Sequence, residues 1–151
     1  MRNRLLYLNL AIDTDDTSLG FATGWLKEIS KNYDKVDVIT LRKGSVPHIS
    51  ENVNIYGPEP SKRKFKKYFY LYKTAKYLLK VNSYEKCFSH MSPISLLVIS
   101  SLLKNHNIKS ILWFTHPGPS FGLKKLILYS TSKIVEQIIT ASNTSFPFMS
   151  N

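Results

Sequence analysis

The chain has 151 residues, 43% of them apolar, enough to fill the core of one domain and too few for two independent ones. A formal charge of +11 and a pI near 9.7 call for an acidic partner: nucleic acid, an anionic membrane surface or a phosphorylated substrate. The single cysteine, Cys87, excludes a disulfide framework, suits the reducing cytoplasm, and inside an apolar run reads as a small buried hydrophobe.

Arg2 and Arg4 before Leu5 to Ile12 imitate a secretory leader, but Asp13-Thr14-Asp15-Asp16 follows where a small-residue cleavage site is needed. Leu5 to Leu10 therefore reads as a first strand. Asp13-Thr14-Asp15 matches a short aspartate pair that can hold a divalent ion on a diphosphate. Between a strand and a helix, however, those carboxylates read as turn and cap residues, and no metal is expected. Gly20, at the mouth of the first helix, lets a ligand approach the backbone amides. The three-glycine dinucleotide fingerprint is missing, so no NAD or FAD site is expected.

Leu19, Ala22, Leu26 and Ile29 recur at the helical period and place a helix over Ser18 to Asn32. Val36 to Leu41 is a β-branched second strand, and Val53 to Tyr56 a short third one closed by Gly57-Pro58. A long helix follows from Lys64 to Val81. Its inward stripe is Tyr68, Leu71, Tyr72, Ala75, Leu78 and Leu79, and Lys66, Tyr70, Lys73, Tyr77 and Lys80 line the opposite side. With Lys62, Arg63, Lys64 and Lys67 beside them and no acid from Ser61 to Val81, these residues suit an anionic lipid surface. An ordinary solvated face is the plainer alternative. Nucleic acid is not expected, because arginine is scarce here and no reading motif surrounds the stretch.

Lys86 to Met91 is a fourth strand running out at His90. A helix from Pro93 to Lys104 follows, with Ser92 as N-cap and Pro93 at the first helical position. Its apolar stretch Ile94 to Leu103 is about half of a membrane span, so it packs inside the domain. The strand Ile111 to His116 runs out at a second histidine, followed at once by Pro117-Gly118. A helix over Phe121 to Ser130 and a strand from Val135 to Thr140 complete the alternation. Strands separated by helices of this length argue a Rossmann-like α/β fold, a parallel sheet with helices on both faces. Ligands gather at the carboxyl ends of such strands, which makes His90, Thr115 and His116 candidate site residues. His48 and His106 read as loop and helix-end residues, and no nucleophile elbow or P-loop is present.

Several runs taken in order resemble a known family. Asp13, Asp16, Leu19-Gly20-Phe21, Trp25-Leu26 and Ile29-Ser30-Lys31 resemble the opening of family-4-like glycosyltransferases. His90-Met91-Ser92-Pro93 resembles the end of their fourth strand, Leu112-Trp113-Phe114-Thr115-His116 their aromatic-Thr-His strand, and Ile134 to Phe146 the close of their N-terminal half. The resemblance implies the N-terminal, acceptor-side domain of a two-domain GT-B enzyme, which moves a sugar from a nucleotide-sugar co-substrate to a glycan or lipid-linked acceptor. It implies Gly20 near the donor diphosphate, His116 on the transferred sugar or acceptor hydroxyl, and His90 with Thr115 lining the substrate pocket. The basic helix would dock on the inner face of the cell membrane. The donor-binding domain that stabilises the leaving diphosphate is not in this sequence, so the chain alone is expected to be inactive without that domain or a separate partner chain.

Overall fold

A computed structural model describes residues 3–15, 21–46, 48–58, 63–115 and 122–140. The elements in chain order are β1 (Arg4–Asn9), α1 (Phe21–Ser30), β2 (Lys35–Thr40), β3 (Val53–Tyr56), α2 (Lys64–Val81), β4 (Lys86–His90), α3 (Pro93–Asn105), β5 (Lys109–Trp113), α4 (Leu123–Ser132) and β6 (Gln137–Ile139). One six-stranded sheet runs β3-β2-β1-β4-β5-β6, with every strand pairing parallel. The Rossmann-like class expected from the alternating pattern is the one observed.

Side chains alternate across each strand and so divide the core in two. Leu6, Leu8, Ile39, Cys87 and Leu112 face one way, under Leu71, Ala75, Leu78 and Leu79 of α2, Leu96, Ile99 and Leu103 of α3, and Leu128 of α4. Leu5, Tyr7, Val36 and Val38 face the other way with Leu26 of α1. Among the described residues α1 is the only helix on that second face. Cys87 is fully buried, and burial pushes its thiol pKa up, which suits the inert hydrophobe expected of it.

At the amino ends of the strands lies a charge that the sequence pattern did not expose. Asp37 of β2 is fully buried and accepts hydrogen bonds from Arg4 Nε at 2.6 Å, Tyr84 Oη at 2.6 Å and Asn54 Nδ2 at 2.9 Å. Burial alone would raise its pKa, but the bonds from Arg4, Tyr84 and Asn54 hold the carboxyl below the usual range. Arg4 also donates from Nη1 to Asn82 Oδ1 at 2.6 Å, so this cluster ties β1, β2 and β3 to the turn after α2.

Several boundaries differ from those expected. The fifth strand ends at Trp113, three residues before His116. Its neighbour β4 turns away at Met91, whose φ of 57° leaves the extended region, and the Met91 N–H takes the Trp113 carbonyl as the last bond between them. The apolar Phe114 beyond that point still packs on the core, which is why the run read as a longer strand. The fourth helix begins at Leu123 and not Phe121, because Gly122 before it has a φ of 87°. The last strand keeps only Gln137–Ile139, and the first helix closes at Ser30, with Asn32 in a turn bonded back to Ile29.

Candidate functional site

The strand order reverses between β1 and β4. From that point α1 leaves over one face and α3 over the other, so a crevice opens at the carboxyl ends of the two strands. The register fills this edge with one row of residues. Asn9 of β1 lies beside His90 of β4, His90 beside Trp113 of β5, and Trp113 beside Ile139 of β6. On the far side Asn9 is paired with Thr40 of β2.

Asn9, His90 and Trp113 occupy alternate positions that face α1, where Trp25 closes over them. The Trp25 and Trp113 rings meet edge to face, 4.3 Å apart at 73°. The His90 imidazole lies 5.9 Å from Trp25, 6.4 Å from Trp113 and 6.5 Å from Tyr7. His90 is 1% exposed, and burial drives its pKa from 6.5 down to about 4, so the ring is neutral at physiological pH.

The Leu10 N–H donates to Asn9 Oδ1 at 2.7 Å and fixes which end of the carboxamide is oxygen. His90 Nδ1 approaches the same oxygen at 3.5 Å. An amide oxygen only accepts, so this approach suits the tautomer with its proton on Nδ1. The other end of the Asn9 amide, Nδ2, is buried without a partner among the described residues, as is the Tyr7 hydroxyl beneath it. Buried donors left unpaired are costly, and they mark a place where a polar ligand atom is favoured.

Of the residues singled out from sequence, His90 ends its strand as expected and stands at the switch point. Thr115 gives both its N–H and its hydroxyl to the Met91 sulfur, at 3.4 and 3.3 Å, which binds the segment after β5 to the turn after β4. Gly20, His116 and Lys62 lie outside the described residues. Asp13 behaves as a turn residue: its Oδ1 accepts the N–H groups of Asp15 and Ser45, both at 3.2 Å. Gly44 packs so tightly on it that a Cβ there would overlap the carboxylate. Among the described residues no three His, Cys, Asp or Glu side chains gather to hold a metal. Ser92 caps α3 with its carbonyl, which receives the Leu96 N–H, while its hydroxyl bonds Ser95.

The α2 surface carries more apolar area than its tyrosines suggested. Lys66, Lys73, Lys80 and Tyr77 are exposed as expected, with Arg63 before them, while Lys67 and Tyr70 are half-buried. Phe65 is 91% and Phe69 60% exposed, and the Lys73 ammonium sits 4.7 Å above the Phe69 ring. A groove of about 770 Å³ separates this surface from Tyr56 at the end of β3 and is lined by Lys66, Phe69, Tyr70, Lys73, Thr74 and Tyr77. The spacing of Phe65, Phe69 and Lys73 at i, i+4 and i+8, outside the inward stripe, was the signal that locates them. Among the described residues no helix is long and apolar enough to cross a membrane.

No protein-family model matches the chain, and no curated protein matches it in sequence. Solved structures do. Anabaena Alr3699/HepE in complex with UDP superposes with a TM-score of 0.61 at 13% identity, covering 97% of this chain and 40% of that one. The same protein with UDP and glucose gives 0.63 at 12%, with the same coverage. Phytolacca americana UGT2 complexed with UDP-2fluoro-glucose and pterostilbene gives 0.50 at 12%, over 88% of this chain and 34% of that one. The chain thus spans about two fifths or less of the proteins it matches. The likeness shows the fold, a Rossmann-like unit of the kind that forms half of a GT-B arrangement.

Proposed function

We propose that the chain is the acceptor-binding half of a glycosyltransferase that moves a sugar from a nucleotide-sugar donor to a glycan or lipid-linked acceptor. The observation that carries this reading is the row Asn9, His90 and Trp113 at the switch point of the sheet, with a buried unpaired amide donor in it. The same fold in the structural neighbours accompanies bound UDP or a UDP sugar. Asn9 Nδ2 and the neutral His90 ring would orient an acceptor hydroxyl, and His116, one residue beyond Thr115, would contact the sugar in transfer. Gly20 would lie near the donor diphosphate. Charge stabilisation of the leaving diphosphate must come from a second, donor-binding domain or partner chain, so the chain alone is inactive in this account.

The test is transfer. The chain joined to a donor-binding domain should release nucleoside diphosphate from a nucleotide sugar in the presence of a glycan acceptor. His116→Ala in the joined protein should lose that release while keeping its circular dichroism spectrum and unfolding midpoint. Wild-type activity in this variant would remove the role given to His116.

A second reading is favoured by the exposed Phe65 and Phe69 among the α2 cations. In it the α2 surface docks on an anionic bilayer, with aromatic rings among the headgroups and ammonium groups on phosphates. The two readings are compatible, because docking would bring a lipid-linked acceptor to the chain.

A further inference from the structure

The chain contains two tryptophans, and they are the two that meet at the switch point. Trp25 comes from the second turn of α1 and Trp113 from the last position of β5, so the pair exists only because the fold brings α1 over that strand. Both indoles are half-buried. Among the described residues neither indole N–H has a protein partner, and neither is one of the buried unpaired groups, so both are open to solvent or a ligand. With the rings 73° apart and in direct contact, the edge of one indole rests on the face of the other, leaving their outer faces to a ligand. His90 stands behind both, and the unpaired Asn9 amide lies next in the row.

We infer that Trp25 and Trp113 form a stacking platform for the ring of a pyranose sugar. This rests on the reading of this end of the sheet as the acceptor side, and it names the acceptor class as a glycan in place of a flat phenolic or a bare lipid. A pyranose has one face of C–H groups, slightly positive, that fits the negative face of an aromatic ring. Its rim of hydroxyls needs donors and acceptors at a right angle to that face. The two half-buried indoles and the Asn9 amide supply this combination, apolar surface with polar groups beside it. A planar phenol could stack as well, but it would leave the amide donor and at least one indole N–H unmatched.

Because both tryptophans lie in the platform, fluorescence of the unmodified 151-residue chain, excited at the red edge where its nine tyrosines do not absorb, reports on it alone. The probes are methyl glucopyranoside, methyl galactopyranoside and methyl N-acetylglucosaminide, with glycerol as a polyol lacking a ring and pterostilbene as a phenol. The expected result is a saturable blue shift with at least one pyranoside and none with glycerol. Trp25→Phe and Trp113→Phe each leave one reporter in place and should weaken that response roughly tenfold, about 1.4 kcal/mol. Should either variant fail to fold by circular dichroism, the wild-type titration still decides. Absence of a pyranoside response, or one equalled by glycerol, overturns the platform. A saturable response to pterostilbene alone overturns the sugar class while the acceptor-side reading stands. That reading fails separately, if the joined protein transfers to no acceptor.

Discussion

Asn9 and His90 share one carboxamide oxygen across the β1–β4 boundary, with the backbone N–H of Leu10 holding that oxygen in place from the other side. The arrangement turns the amide so that its N–H₂ group is unpaired among the described residues. Two side chains from strands far apart in sequence thereby form one polar unit on an otherwise apolar floor.

His90 makes stability depend on pH in a defined window. Its pKa is about 4 in the folded chain against an ordinary 6.5. Below pH 6.5 the unfolded chain binds a proton that the folded chain refuses, so stability is whole at neutral pH and is lost as pH falls from 6.5 toward 4. The loss is on the order of 3 kcal/mol. Urea unfolding between pH 4 and 8 should show it in the wild type and not in His90→Phe; parallel profiles would contradict it.

The Asp37 cluster should behave as a buried ion pair. Asp37→Ala strands the Arg4 guanidinium and should cost about 3–5 kcal/mol. Arg4→Met should cost a similar amount, and the double variant clearly less than the sum. The depressed Asp37 pKa adds stability that is present above the ordinary carboxyl pKa and lost as pH falls below it. Additive costs in the cycle would show that the two side chains do not act together.

Gly44→Ala places a methyl group into the Asp13 carboxylate. Overpacking of this kind should destabilise the chain by about 1–3 kcal/mol. Adding Asp13→Ala should recover part of that loss even though the turn bonds to Asp15 and Ser45 go with it. Thermal unfolding of the three variants checks this, and a double variant no more stable than Gly44→Ala alone would contradict it.

On α2, Phe65→Ser with Phe69→Ser should leave unfolding within about 0.5 kcal/mol of the wild type, because both rings already stand in solvent. Sedimentation with vesicles of phosphatidylcholine and phosphatidylglycerol should fall sharply in this variant. Equal recovery of the wild type with neutral and acidic vesicles would remove the docking reading.

The order of elements was legible because each strand is a short apolar run and each helix keeps its 3.6 period. α2 matched to the residue, since Gly57-Pro58 ends the strand before it and its stripe from Tyr68 to Leu79 is unbroken. The end of β5 was not legible, because it depends on where the neighbouring β4 turns at Met91 and not on the apolar run that continues to Phe114. For the site, His90 could be read as a strand-end histidine, but Asn9, Trp25 and Trp113 could not be joined to it. Their meeting depends on the β1–β4 and β4–β5 registers and on which face α1 takes, relations between segments that no local pattern carries. Asp37 was missed for a similar reason: its partners Arg4, Asn54 and Tyr84 come from three other segments.

A ligand bound along the row Asn9, His90 and Trp113 would perturb the backbone amides next to it, which nuclear magnetic resonance of the ¹⁵N-labelled chain, titrated with the pyranosides named above, reads residue by residue. Saturable shifts are expected on Leu10, Met91 and Phe114, the residues that follow the row on its three strands. Shifts gathered on Phe69, Lys73 and Tyr77 of the α2 groove with the row unmoved, or none at saturating sugar, would contradict binding along the row.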